Sequence, residues 1–311
     1  MRSCSTQGPA AGAAAVVRLR PVELADQRVV VTGGASGIGR AMCIRFGALG
    51  AAVTVADLDG PGAEATARTV VAAGGRASAR ACDVCREDHI IRLVEDATAT
   101  FGPIDLFCSN AGVPAGGGPE APDEVWTRAW EVHTMAHVWA ARAVLPGMVE
   151  RGHGYLLQTA SAAGLLTNLG AAPYAVTKHA TVAFAEWLAI TYHDAGIRVS
   201  CLCPMGVRTP LLEGAADDLA GAVVLATSEL IEPDDVADAV VAGLATEQFL
   251  ILPHPVVTEY WQAKVTDYDR WLRGQRRLQA RLRDAEPGAD HGVGGAPLRD
   301  AEPRADHGVD A

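Results

Sequence analysis

A short β-branched run, Val29-Val30-Val31, leads straight into Thr32-Gly33-Gly34-Ala35-Ser36-Gly37-Ile38-Gly39, and a helix-forming stretch from Ala41 to Leu49 follows. That succession constrains the fold more than any other feature of the chain. A strand, a glycine turn and a helix start leave unpaired backbone N–H groups at the positive end of a helix, where a phosphate binds. Glycine lets the backbone approach a pyrophosphate with no Cβ in the way. The plain alternative is a tight strand-to-helix turn without a ligand. Nucleotide binding is the expectation, with Gly33, Ser36, Gly37, Ile38 and Gly39 as its cradle.

Beyond this unit, strand and helix patterns alternate, as a parallel sheet requires. Strands are expected at Arg28–Thr32, Ala52–Asp57, Arg76–Cys82, Leu106–Ser109, Gly154–Thr159, Arg198–Leu202 and Leu250–Leu252. The fold class is α/β, a single Rossmann-like doubly wound parallel sheet of about seven strands flanked by helices, with ligands at the carboxyl ends of the strands. Residues 1–24 are Ala/Gly-rich and expected to be disordered. Residues 25–257 form the Rossmann-like domain, 258–282 a C-terminal amphipathic helix, and 283–311 a flexible tail. In that helix Tyr260, Lys264, Tyr268 and Trp271 fall on one stripe, read as packing on the domain or a sister subunit, with a lid over the substrate as the alternative. In the tail, the segment starting at Leu282 recurs from Leu298 with a 16-residue period, too few copies to build a solenoid.

The chain has 311 residues, 49% of them hydrophobic, enough to bury a full core. Its net charge is −11 and no basic cluster stands out, which argues against nucleic acid and anionic membrane as partners. No run of eighteen apolar residues suggests a membrane span, and Met1 to Ala15 lack the leucine-rich stretch of a secretory signal, so a cytoplasmic protein is expected. Of the seven cysteines, all but Cys4 fall in or beside expected strands and helices, which suits reduced, buried thiols. Cys82-Asp83-Val84-Cys85 mimics a metal-binding pair, but no second pair of suitable spacing follows, and no metal is expected.

Tyr174 and Lys178 lie four residues apart, on one face of a helix, and Ser161 lies thirteen residues upstream. A free phenol titrates near ~10, too high for a base at neutral pH. A neighbouring ammonium favours the phenolate, so Lys178 is expected to lower the Tyr174 pKa. Alone, the pair also fits a solvated polar face. With Ser161 just past an apolar strand, it suggests acid/base chemistry at a strand end.

Taken in order, Thr32-Gly33-x-x-x-Gly37-x-Gly39, Cys82-Asp83-Val84, Asn110-Ala111-Gly112, Ser161, Tyr174-x-x-x-Lys178 and Pro204-x-x-Val207-x-Thr209 resemble the short-chain dehydrogenase/reductase family, from about Gln27 to about Pro253. The resemblance implies that Tyr174 is the acid/base, that Lys178 lowers its pKa and contacts the nicotinamide ribose, and that Ser161 holds the substrate oxygen. It implies that Asp83 and Val84 contact adenine, that Asn110, Ala111 and Gly112 support the cofactor, and that the Pro204, Val207 and Thr209 loop holds the nicotinamide. Asp57 ends the second strand, where a carboxylate accepts both ribose hydroxyls and repels a 2′-phosphate, so NAD is favoured over NADP, with Asp59 as the rival carboxylate.

Two positions depart from the family pattern. His133 follows Trp126 by seven residues where relatives carry Asn, leaving a proton relay or a packed helix histidine as readings. Met205 separates Pro204 from Gly206, which puts the local loop shape in question. The expected substrate rim is apolar, formed by Ala162, Ala163, Gly164, Leu165, Leu166, Met205, Leu211 and Leu212, with residues 210–230 as a mobile flap. No cluster of arginines is expected at the substrate. The implied function is hydride transfer between NAD(H) and a hydrophobic secondary alcohol or ketone. The rival readings are an NADP-linked biosynthetic ketoreductase and a non-catalytic dinucleotide-binding protein. Long helices at Asp123–Arg151 and Pro173–Ala195 imply a homodimer or homotetramer, as in similar proteins.

Overall fold

The computed structural model describes residues 23–214 and 218–284. The expected disordered extension, apart from its last residues, and the duplicated tail lie outside the described residues.

Seven strands form one parallel sheet: β1 (Arg28–Thr32), β2 (Ala52–Asp57), β3 (Arg76–Ala81), β4 (Leu106–Ser109), β5 (Gly154–Thr159), β6 (Ile197–Leu202) and β7 (Leu250–Ile251). Their spatial order is β3-β2-β1-β4-β5-β6-β7. The order reverses between β1 and β4, and an open α/β sheet binds ligands outside the carboxyl ends of its strands at such a reversal.

Side chains alternate across the sheet with period two, and each face acquires its own core. Val30, Phe107 and Leu156 are register partners on β1, β4 and β5, and they join one apolar cluster. Val29, Val31, Leu106, Cys108, Tyr155 and Leu157 point the other way into a second. The first face is covered by α3 (Glu87–Phe101), α5 (Ala136–Arg151) and α6 (Ala172–Tyr192), through Ile90, Leu93, Met148 and Leu188. The second is covered by α1 (Gly37–Ala48), α2 (Gly60–Ala72) and α9 (Pro233–Ala245), through Met42, Phe46, Ala67, Val236, Val240 and Leu244. Each large apolar side chain removed from water in these layers contributes roughly 1.5–3 kcal/mol. Burial on both faces explains why the inner strands β1, β2 and β4 read as apolar runs, whereas the edge strand β3, Arg-Ala-Ser-Ala-Arg-Ala, stays partly exposed.

Two expected helices are broken. Asp123–Arg151 divides into α4 (Asp123–Trp130), a π turn at Glu131–Met135, and α5. A π turn adds a residue to the helical ladder, and such bulges cluster at functional sites; here it carries the fully buried His133. The expected C-terminal helix is two, α10 (Val256–Thr266) and α11 (Tyr268–Asp284), with Asp267 in extended conformation between them. The Asp267 carboxylate accepts from Arg270 N–H at 2.9 Å, and this local bond competes with helix continuation. The stripe survives the break: Lys264 Nζ lies 5.6 Å from the Tyr268 ring centre and 5.1 Å from that of Trp271. In the segment expected to be a flap, α7 (Pro210–Glu213) and α8 (Leu219–Thr227) flank residues 215–217, which lie outside the described residues. Among the described residues, no helix is long and apolar enough to cross a membrane.

Candidate active site

A cavity of about 1230 Å³ opens at the carboxyl ends of the strands. It is bounded by every residue singled out from sequence for the cofactor or the chemistry, except His133 and the rival carboxylate Asp59.

At its floor, the glycine turn brings β1 and α1 against β4. Gly33 has φ +69°, and a Cβ there would lie 2.9 Å from Ala111 Cα. A Cβ on Gly39 would lie 2.0 Å from Gly33 O. Both positions exclude a larger residue, so the backbone itself lines the cavity, and the architecture fits a dinucleotide's phosphates at the α1 N-terminus. Asn110 spans the reversal point: its N–H donates to Thr32 Oγ1 at 2.9 Å and its Nδ2 to Thr32 O at 3.0 Å. The side chain therefore ties β4 to β1.

Asp57 lines the cavity from the end of β2, with Oδ2 accepting from Ala35 N–H at 2.9 Å and Oδ1 from Asp59 N–H at 3.0 Å. Its rival Asp59 instead caps α2, accepting from Gly62 N–H at 3.1 Å. Asp83 accepts from Cys85 N–H at 3.0 Å and lies 3.8 Å from Arg128 Nη1. The Cys82/Cys85 pair is divided between two environments: Cys82 is buried in the apolar core, while Cys85 Sγ accepts from Arg128 at 2.9 Å. Among the described residues, no cluster of three or more His, Cys, Asp or Glu side chains is placed to hold a metal ion.

At the other end of the cavity, Ser161, Tyr174 and Lys178 converge. Ser161 leaves β5 in extended conformation, and its hydroxyl accepts from Ala163 N–H at 3.1 Å, turning the side chain towards the strand ends. Lys178 is buried, donates from Nζ to Thr159 O at 3.0 Å, and lies 5.7 Å from the Tyr174 ring centre. Burial pushes the Lys178 ammonium down to about 8. The expected lowering of the Tyr174 pKa by Lys178 is not met by the polypeptide's own groups. Burial pushes the phenol up, and a bond from Ser161 acts in the opposite direction. The phenol's shift is set by its own loss of water contact, and the Lys178 ammonium, 5.7 Å from the ring centre, does not reverse it.

His133 stands behind the phenol, with ring centres 5.3 Å apart in an edge-to-face contact. Its Nε2 accepts from Val113 N–H at 3.1 Å, so in the neutral ring Nδ1 carries the proton and donates to Thr177 Oγ1 at 2.9 Å. Burial holds it well below the usual histidine range. Both nitrogens are thus engaged by the protein, which favours the packed-histidine reading over a relay through its ring.

Sequence reading missed His254. The Met205 insertion is held by this histidine, 49 residues away: Met205 N–H donates to Nδ1 at 3.2 Å, and Nε2–H donates to Gly206 O at 3.0 Å. A histidine after a strand-end proline carries no local signature of that task.

Of the expected apolar rim, Ala162, Ala163, Leu166, Met205, Leu211 and Leu212 line the cavity. Gly164 and Leu165 do not: Gly164 packs on the α6 backbone, and Leu165 O accepts from Lys264 Nζ at 2.6 Å. The C-terminal helices both pack on the domain and wall the cavity. Tyr260 and Trp271 contact the first core, and Tyr260, Ala263, Trp271 and Leu278 line the opening. Arg270, Arg277 and Arg281, on the same helix α11, line it too.

The short chain dehydrogenase family model matches residues 27–220. The chain is 37% identical over 235 residues to 1-deoxy-11-beta-hydroxypentalenate dehydrogenase of Streptomyces exfoliatus, an alignment covering 74% of this chain and 84% of that protein. It is 34% identical over 245 residues to 3beta-hydroxysteroid dehydrogenase 2 of Eggerthella lenta, covering 74% and 92%. A solved short chain dehydrogenase/reductase from Burkholderia phymatum in complex with NAD superposes with a TM-score of 0.74 at 28% identity, covering 80% of this chain and 96% of that one. The chain belongs to the short-chain dehydrogenase/reductase family, oxidoreductases that act on hydroxyl and ketone groups.

Proposed function

We propose that this protein is an NAD-dependent dehydrogenase interconverting a hydrophobic secondary alcohol and its ketone. One observation carries the reading: Ser161, Tyr174 and Lys178 border the same cavity whose floor is the glycine turn and whose far wall holds Asp57. A bound nicotinamide supplies or accepts the hydride. The cradle of Gly33, Ser36, Gly37, Ile38 and Gly39 holds the phosphates, Asp57 the ribose hydroxyls, and Asp83 and Val84 the adenine. Asn110, Ala111 and Gly112 support the cofactor at the reversal point, and the loop through Pro204, Val207 and Thr209 holds the carboxamide.

In oxidation, Tyr174 takes the alcohol proton, Ser161 holds the oxygen in line, and Lys178 favours the phenolate. His133 is a positioning residue, bracing the Tyr174 ring through its edge contact. Domain limits follow the same reading: residues 25–257 form the dehydrogenase domain, and 258–282 close it. A cytoplasmic setting is supported by the free state of the cysteines among the described residues. The relatives' names, for a hydroxypentalenate and a hydroxysteroid, support an apolar alcohol as substrate.

Asp57 supports NAD over NADP, because a carboxylate repels a 2′-phosphate. Replacing Tyr174 with Phe should keep NADH binding and remove turnover over a panel of secondary alcohols followed at the NADH absorbance. Near-normal activity in that variant rejects the mechanism. Tighter binding of NADPH than NADH would favour the ketoreductase reading, and NADH binding with no turnover of any alcohol would favour a pure binder.

A further inference from the structure

The C-terminal helix α11 is the most basic element of an acidic chain. Its seventeen residues carry six arginines and two aspartates, in a protein of net charge −11. Arg270, Arg277 and Arg281 are spaced by seven and four residues, which sets them on one helical face. That face also carries Trp271, Gly274 and Leu278, and all of them border the cavity. Trp271 anchors the face on the core, and Lys264 beside it is pinned to the Leu165 and Leu166 carbonyls at 2.6 and 3.4 Å. The arginines are therefore held at the opening by a packed helix.

They stand at the substrate end. The helix packs on α10 and α8, and Tyr260 on α10 bonds Thr227 O at the end of α8. The cofactor-end carboxylates, Asp57 and Asp83, belong to β2 and the turn after β3. Among the described residues, the carboxylate bordering the substrate end is Asp218, already engaged as the α8 N-cap, accepting from Gly221 N–H at 2.9 Å. Deeper in, the lining is Leu166, Met205, Val223 and Val224.

Resting on the dehydrogenase reading, we infer that the substrate is a hydrophobic alcohol or ketone that carries a carboxylate. The apolar body lies in the cavity, with the acid end at Arg270, Arg277 and Arg281. Guanidinium forks match carboxylates in geometry, and local positive charge at the mouth overcomes the repulsion of an acidic protein for an anion.

Lithocholate and ricinoleate, each paired with its methyl ester, test this on the full chain saturated with NADH. Equilibrium binding reports the acid preference, and NAD-linked turnover separately reports the dehydrogenase reading. The acids should bind about tenfold tighter than the esters at low ionic strength, and the preference should shrink with salt. In the triple variant Arg270→Gln, Arg277→Gln, Arg281→Gln, the acid-to-ester ratio should fall about tenfold; the matching Arg→Lys triple should restore part of it. Esters binding as tightly as acids, no binding of the acids, or an unchanged ratio in the Gln variant overturns the inference. Weakened NADH binding in place of lost acid preference overturns it as well, by placing the stripe on the cofactor. Absence of turnover with the acid preference intact would instead count against the dehydrogenase reading alone.

Discussion

Tyr174 and Lys178 oppose each other in burial and charge. Taking the pair out of water raises the phenol and lowers the ammonium to about 8, so each is biased towards its neutral form. Oxidation uses the phenolate and reduction the phenol. The kcat/KM for an alcohol should therefore rise with pH through the Tyr174 pKa while that for the ketone falls, as paired pH–rate profiles would show; parallel profiles would remove Tyr174 from the acid/base role. His133 offers a second test. Replacing it with Phe keeps the packing volume but leaves Val113 N–H without its partner, at roughly 1–3 kcal/mol, while Thr177 Oγ1 keeps its bond to Pro173 O. A lower Tm and a lower kcat with unchanged NADH affinity are expected. An unchanged kcat would leave His133 with a stabilising role only.

At the scale of elements, the wall made by α10 and α11 depends on a buried cation. Lys264 has two backbone carbonyls and two aromatic rings as partners, and burial lowers its pKa. Lys264→Met keeps the stem's packing and deletes the charge. The helices should loosen from residues 165 and 166, raising KM for the alcohol several-fold with little change for NAD; hydrogen exchange in α10 and α11 should rise. Equal exchange in both proteins would mean that Trp271 and Tyr260 hold the helices alone. The exposed face of α6 makes a separate point. Val176, Ala183, Trp187 and Ile190 lie along it, exposed, at helical spacing. This supports the proposed oligomer built on the long helices. Ile190→Glu should shift the mass towards monomer in sedimentation or light scattering, and an unchanged mass would place the interface elsewhere.

For the whole molecule, two histidines set a pH dependence of stability. Burial holds His133 well below its usual range and lowers His137 to about 3. Unfolded histidines take up protons near ~6.5. Below that value the unfolded chain binds more protons than the folded one, so this stability is complete above ~6.5 and drains away as the pH falls towards about 3. Each histidine contributes a slope of up to about 1.4 kcal/mol per pH unit. Urea midpoints should drop between about pH 7 and about pH 5, and a flat profile would contradict the buried neutral assignment.

What the amino-acid order determined by itself was whatever depends on near neighbours. Strand positions, the glycine turn, and the Tyr174/Lys178 spacing follow from periodicities of two and four residues and from glycine's missing Cβ. The all-parallel sheet was legible because strand and helix patterns alternate and the inner strands, buried on both faces, read as apolar runs. Only the tertiary structure decided matters that join distant segments. It placed His254 under the Met205 loop, used Asp59 as the α2 cap while Asp57 lines the cavity, broke two long helices at Glu131 and Asp267, and carried three arginines to the mouth of a cavity formed by strands more than sixty residues earlier. The reason is physical: a side chain's charge, burial and partners are properties of the space it occupies, and that space is assembled from residues with no local relation to it.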